Sequence, residues 1–280
     1  MKKIKNNLLT ILSMGIIIIL FVISLILFYK FDIDSYHNCV RQMAHLNGLV
    51  CNKINVDAFT LFFYLLTDNP LNFIIYLQPI LTIIPALYLF FKKYKSGYLN
   101  YMSLREKYSK IIKKEILKCY KAALIYPVSL LIILIILIFY TKNFKPTTVF
   151  GNYFFGWSSI KILKHFTTFF INIFLINIFF INIGLLVSKK CKNFILTIIL
   201  SFLCIISYQI IAELFIAIPL SNLFKITNLA NSFSIYNLWG YDSVVSYLFM
   251  IIYCLFLVGI TSFLVYKTYK NKESVIISEN

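Results

Sequence analysis

FKKYKSGYLNYMSLREKYSKIIKKEILKCYK, residues 91–121, is the stretch on which the reading of this chain turns. It carries ten Lys and Arg against two Glu, and it lies between two long apolar runs. Positive charge beside membrane spans is retained in the cytoplasm, so this block is expected there. Its punctuation is helical. Ser96-Gly97 breaks the preceding helix, and Tyr98–Met102 forms a short segment after the break. Ser103 and Glu106 then have the S-x-x-E spacing of a capping box, in which each side chain accepts from a free backbone N–H. A helix starting there places Lys107, Lys110, Lys114, Lys118 and Lys121 on one stripe, because steps of three and four stay on one face. The plain reading of the stripe is a basic collar against anionic membrane lipid. The sharper reading is a docking element for a cytoplasmic partner.

Working outward, the whole chain fits a membrane setting. It has 280 residues, 60% of them hydrophobic, against about 45–50% in a soluble domain. The excess falls in runs near the roughly 20 residues that a helix needs to cross a bilayer. The net charge of +17 invites a nucleic-acid partner, but the charge sits beside spans rather than on a compact domain, so nucleic acid is rejected. The predicted fold is an all-α membrane protein, one domain over residues 1–280. Its spans are expected at about 8–28, 71–91, 122–140, 166–187, 194–215 and 244–266. Both termini are expected in the cytoplasm: the inner segments of this topology hold 19 of the 27 Lys and Arg. The first run has no small-residue cleavage site after it and is read as an uncleaved span.

An outer loop is expected over residues 30–70, rich in acids and holding His37, Cys39, His45 and Cys51. A Cys39–Cys51 disulfide, free thiols and a metal site all remain open there, the disulfide requiring an oxidising exterior. Ala58–Leu66 within it is apolar enough for a short helix on the membrane. Pro79, Pro85 and Pro127 fall inside spans, where each removes one backbone hydrogen bond. Residues 151–158 mimic a phosphate loop by spacing alone, with Trp157 where the lysine is required. They carry no nucleotide role, and no other such loop occurs, so any ATP hydrolysis is expected on another polypeptide. Asn172, Asn177 and Asn182 lie in the fourth span at steps of five, which rotate about 140° and cannot make one polar seam. Individual helix-to-helix bonds are expected instead. Glu213 is the one carboxylate in an apolar run, roughly 29 Å along its helix and hence near the far boundary of the membrane core. Residues 219–242 stay semi-apolar and suit short interfacial helices before span six.

In order, Ser96, Gly97, Tyr98, Asn100, Arg105, Tyr108 and Lys110 resemble the pattern s-G-[YF]-x-N-x-x-x-x-R-x-x-Y-x-K. That pattern lies between the second and third spans of ABC type-2 exporter permeases. The resemblance implies a coupling segment over residues 92–121 that rests on a separate cytoplasmic ATP-binding subunit through Gly97, Tyr98, Leu99, Met102 and Arg105. It also implies re-entrant helices before the last span, a second permease subunit (the same or a different chain), and a place in a bacterial plasma membrane. The chain itself is then no enzyme and needs no cofactor. The exported substrate would be a drug, an antimicrobial peptide, a lipid or a glycan. The alternative is a six-span membrane protein outside this family, such as a secondary transporter or an immunity or sensor protein.

Overall fold

The computed structural model describes residues 2–43, 58–67, 73–102, 104, 106–142, 159–224 and 247–270. Among these residues every regular element is helical. Six helices are long and apolar enough to cross a membrane: Leu8–Lys30, Ile75–Lys95, Tyr108–Thr141, Ile160–Lys190, Phe194–Leu223 and Phe249–Tyr269. Along the fifth span Thr197, Ser201 and Gln209 are buried, while Ile195, Ile199, Leu203, Leu214 and Phe215 are exposed. A polar face turned inward and an apolar face turned outward suit lipid as the solvent, since large exposed apolar surface is rare on water-soluble monomers. The chain is a multi-pass membrane protein.

Helix α1 spans Lys2–Met43, 42 residues, or about 63 Å, twice the thickness of the hydrocarbon core. Residues 31–43, within the segment expected outside, continue the helix. Their polarity marks departure from lipid, and with no Pro or Gly among them nothing stops backbone hydrogen bonding there. Helix α2 spans Ala58–Thr67. It buries Ala58, Leu61, Phe62, Leu65 and Leu66 on one stripe, with Phe62 against Phe21 of α1. It is packed on protein, where the sequence alone predicts a helix on the membrane.

Helix α3 (Phe73–Lys95) contains Pro79 and Pro85. After a turn come α4 (Tyr98–Met102) and α5 (Tyr108–Tyr120), then a 3-10 turn over Lys121–Leu124 and α6 (Ile125–Thr141). Helix α7 runs over Ser159–Lys190. Helix α8 (Phe194–Ile211) starts under an N-cap in which the Asn193 side chain accepts from the Ile195 amide. It passes through a π-turn, Ala212–Ala217, into α9 (Ile218–Phe224). The last helix, α10, is Tyr247–Tyr269. The fifth span is thus longer than the expected 194–215. Pro219 does not end it, because the π-turn just before lets the helix absorb a residue that has no N–H. Of the interfacial helices expected before span six, Ile218–Phe224 continues that span instead, and residues 225–246 lie outside the described residues.

The chain divides into two compact units. One comprises residues 14–76 and 128–162; within it Tyr29 of α1 meets Tyr140 of α6 edge to face. The other comprises residues 1–13, 77–127 and 163–280, and it holds the basic end, the α4 segment and the buried asparagines. Its centre is the crossing of α3 and α7, whose apolar windows are each 61% buried, against 22% for the fifth span and 28% for the last. At that crossing Gly184 of α7 lies against Leu87 and Ile83 of α3. The absence of a side chain lets the two backbones approach.

Candidate functional site

One end of this unit is basic. Lys92, Lys93 and Lys95 close α3, Lys189 and Lys190 close α7, and Lys267 and Lys270 close α10. Lysine at a helix C-terminus complements the partial negative charge there. The same end is tied by aromatic side chains. Tyr269, fully buried, meets Phe90 and Tyr94 of α3 at ring distances of 5.5 and 5.6 Å. Its hydroxyl donates to the Leu185 carbonyl of α7 at 2.7 Å and lies 2.9 Å from the Ser188 hydroxyl. Phe194, at the start of α8, packs on Tyr88 and Phe91.

The segment that projects from this end is built in three steps. Helix α3 stops at Gly97, whose φ of 67° is in the left-handed region that side chains resist. The chain then makes the five-residue helix α4. Tyr98 (44% exposed) and Tyr101 (58%) stand on its open side, and Leu104 (77%) follows in the next turn. These three large side chains are exposed next to the lysines that close α3. Met102 is half-buried. Leu99 belongs to α4, but its side chain lies outside the described residues, as do Ser103 and Arg105. Of the five residues singled out by sequence, the structure therefore brings Gly97, Tyr98, Leu99 and Met102 into one turn and short helix. Tyr101 and Leu104 were missed; alternation of aromatic and polar residues in so short a stretch gives no period to read.

The predicted cap is corrected. Helix α5 begins at Tyr108, with Lys107 as N-cap and no side-chain cap bond. Turned backbone at Leu104 and Glu106 precedes it instead: the Leu104 amide donates to Tyr101 and the Glu106 amide to Met102. What fixes the start of α5 is its packing. Tyr108, Ile111, Ile112, Ile116 and Cys119 form a buried stripe, and the predicted lysine stripe, Lys107 to Lys121, is exposed on the opposite side. Glu115 lies between the two faces. It accepts from Lys93 at 2.5 Å and from Lys118 at 2.5 Å, with 13% of its side chain exposed. It joins α5 to the end of α3 across the α4 turn.

Asn172, Asn177 and Asn182 of α7 are all buried, and the last two hold separate partners, as steps of five require. The Asn177 carbonyl oxygen accepts from Gln78 Nε2 at 2.9 Å and Thr82 Oγ1 at 3.2 Å, both on α3. Its Nδ2 donates to the Ala123 carbonyl at 3.0 Å. Asn182 accepts from the Tyr120 hydroxyl at 2.6 Å and donates to Thr261 and Ser262 of α10 at 3.0 and 2.9 Å.

Glu213 lies in the π-turn of the fifth span, half-buried, and accepts a hydrogen bond from Gln209 one turn earlier. Cys39 is part of α1, with its side chain outside the described residues, and Cys51 lies outside them altogether, as does His45. Among the described side chains no group of three His, Cys, Asp or Glu is placed to hold a metal ion. Compared with models of known protein families, with curated proteins and with solved structures, the chain matches none.

Proposed function

We propose that this chain is the membrane-spanning permease subunit of an ATP-driven exporter, with its basic end and both termini in the cytoplasm of a bacterial cell. The observation that carries the reading is the Gly97 turn followed by α4, which presents Tyr98 and Tyr101 beyond the end of a span. A groove on a separate ATPase subunit would take these rings as anchors, as buried aromatics commonly serve at protein interfaces. Closure of two such ATPases on ATP would push on α4 and α5. It would thereby bias an equilibrium between inward-open and outward-open arrangements of the spans. The positive-inside bias supports the orientation, and the resemblance of residues 96–110 supports the partner. A second permease subunit completes the assembly.

The test compares two sets of substitutions by the amount of ATPase that co-purifies with each variant. Tyr98→Asp with Leu99→Asp should abolish co-purification of the ATPase subunit while leaving membrane insertion intact. Neutralising Lys114, Lys118 and Lys121 with Gln should leave the complex largely in place. If the lysine set alone disrupts the complex, the exposed stripe is the functional surface and the aromatic docking site is wrong.

A further inference from the structure

Helix α5 joins α6 through the 3-10 turn Lys121–Leu124, three residues before Pro127. Proline has no N–H to return to the carbonyl four residues back, which here belongs to Ala123. That carbonyl sits at a fully buried residue, where an unmet acceptor would carry a desolvation penalty. Asn177 of α7 supplies the missing donor at 3.0 Å. Three residues earlier, the Tyr120 hydroxyl is held by Asn182 of the same helix. The spacings match: five residues of α-helix rise about 7.5 Å and three of 3-10 helix about 6 Å. Each asparagine also holds a further helix, Asn177 through Gln78 and Thr82 of α3, Asn182 through Thr261 and Ser262 of α10.

We propose that the α5–α6 joint is a built hinge, that Asn177 is the positioning residue that latches it, and that α7 passes any movement of α5 to α3 and α10. The physical reason is a mismatch of stiffness. A continuous α-helix from Tyr108 to Thr141 would transmit a push straight along its own axis. This one lacks a backbone bond at the point where it leaves the amphipathic segment, and the replacement bond belongs to another helix. Such a bond breaks and reforms without unwinding α6. The Lys93–Glu115–Lys118 cluster keeps α5 itself attached to the end of α3, so bending concentrates at the joint.

The hinge stands on this geometry; its part in coupling rests on the permease reading. The experiment needs no ATPase, so the two fail separately. Backbone amide exchange is measured on the purified full chain in lipid nanodiscs. Lys121, an exposed charged residue in the joint, holds it at the membrane surface within reach of water. Asn177→Leu should speed exchange over residues 121–126 by roughly five- to tenfold, with the middle of α6 unchanged. Adding Pro127→Ala supplies an amide to the Ala123 carbonyl and should bring exchange back to within about twofold of the parent. Pro127→Ala alone should slow exchange at the joint, and this variant keeps the test open if Asn177→Leu fails to insert. Unchanged exchange in Asn177→Leu, failure of Pro127→Ala to rescue it, or faster exchange in Pro127→Ala alone would each overturn the hinge.

Discussion

A methyl group added at Gly184 tests the crossing of α3 and α7 on which the larger unit is built. A Cβ there would lie 2.5 Å from Leu87 Cδ1 and 3.4 Å from Ile83 Cγ2. Ordinary contact begins near 3.5 Å, so the Leu87 methyl must retreat by about 1 Å. Leu87 and Ile83 are both fully buried, which leaves the leucine little room to rotate away. Overpacking of this kind typically costs about 1–3 kcal/mol, and the better helix preference of Ala over Gly returns about 1 kcal/mol. Gly184→Ala should therefore destabilise by about 1 kcal/mol net, or about 2–4 °C in melting temperature. Gly184→Val should cost more. The sharper measurement is the coupling with Leu87→Ala. That change alone should cost about 2–5 kcal/mol by opening a cavity. In its background Gly184→Ala should become neutral or stabilising, because its methyl enters the vacated space, giving a coupling of about 1–3 kcal/mol. Melting is followed with a thiol-reactive fluorogenic dye. Cys119, Cys191 and Cys254 are buried and become reactive on unfolding, while exposed Cys204 supplies the baseline. Zero coupling, or a melting temperature that rises equally in both backgrounds, would mean that the two helices do not meet at Gly184.

Other expectations follow from the basic end and the buried asparagines. In intact cells a membrane-impermeant maleimide should label Lys142→Cys and Lys164→Cys but not Lys192→Cys or Ser109→Cys, all at exposed positions. Labelling of Lys192→Cys from outside would reverse the proposed orientation. The native Cys119 and Cys191 cannot serve here, because both are buried. Glu115→Gln leaves Lys93 and Lys118 facing each other without their shared carboxylate and, because the cluster is only partly buried, should cost about 1 kcal/mol. Faster limited proteolysis between Gly97 and Tyr108 would register it, and an unchanged cleavage rate would show that the cluster does not hold α5. Asn182→Leu removes three side-chain bonds across α5, α7 and α10, and at about 0.6 kcal/mol per bond in a membrane the loss should total roughly 2 kcal/mol. A melting temperature within error of the parent would show that those bonds do not support the unit.

Read alone, the sequence already says that the chain is helical, that it holds six runs long and apolar enough to cross a membrane, and where charge gathers. Each of these is a property of runs and periods: twenty apolar residues make a span whatever packs beside it, and Lys107 to Lys121 share a face because of helical geometry alone. It also placed Gly97 at a turn, since glycine is the residue for which left-handed backbone is free of strain, and it separated the directions of Asn177 and Asn182 by rotation along the helix. What those asparagines hold is settled by packing across the fold. A proline four residues after Ala123 leaves an unmet carbonyl, and nothing in the local sequence says that the donor stands 54 residues further on in α7. The start of α5 was decided the same way. Ser103 and Glu106 have the spacing of a cap, yet the buried stripe from Tyr108 to Cys119 sets where the helix begins, because burying five side chains outweighs one capping bond. At α1, residues 31–43 leave the apolar run but keep the helix. Leaving lipid changes the solvent of a helix and does not break its backbone bonds.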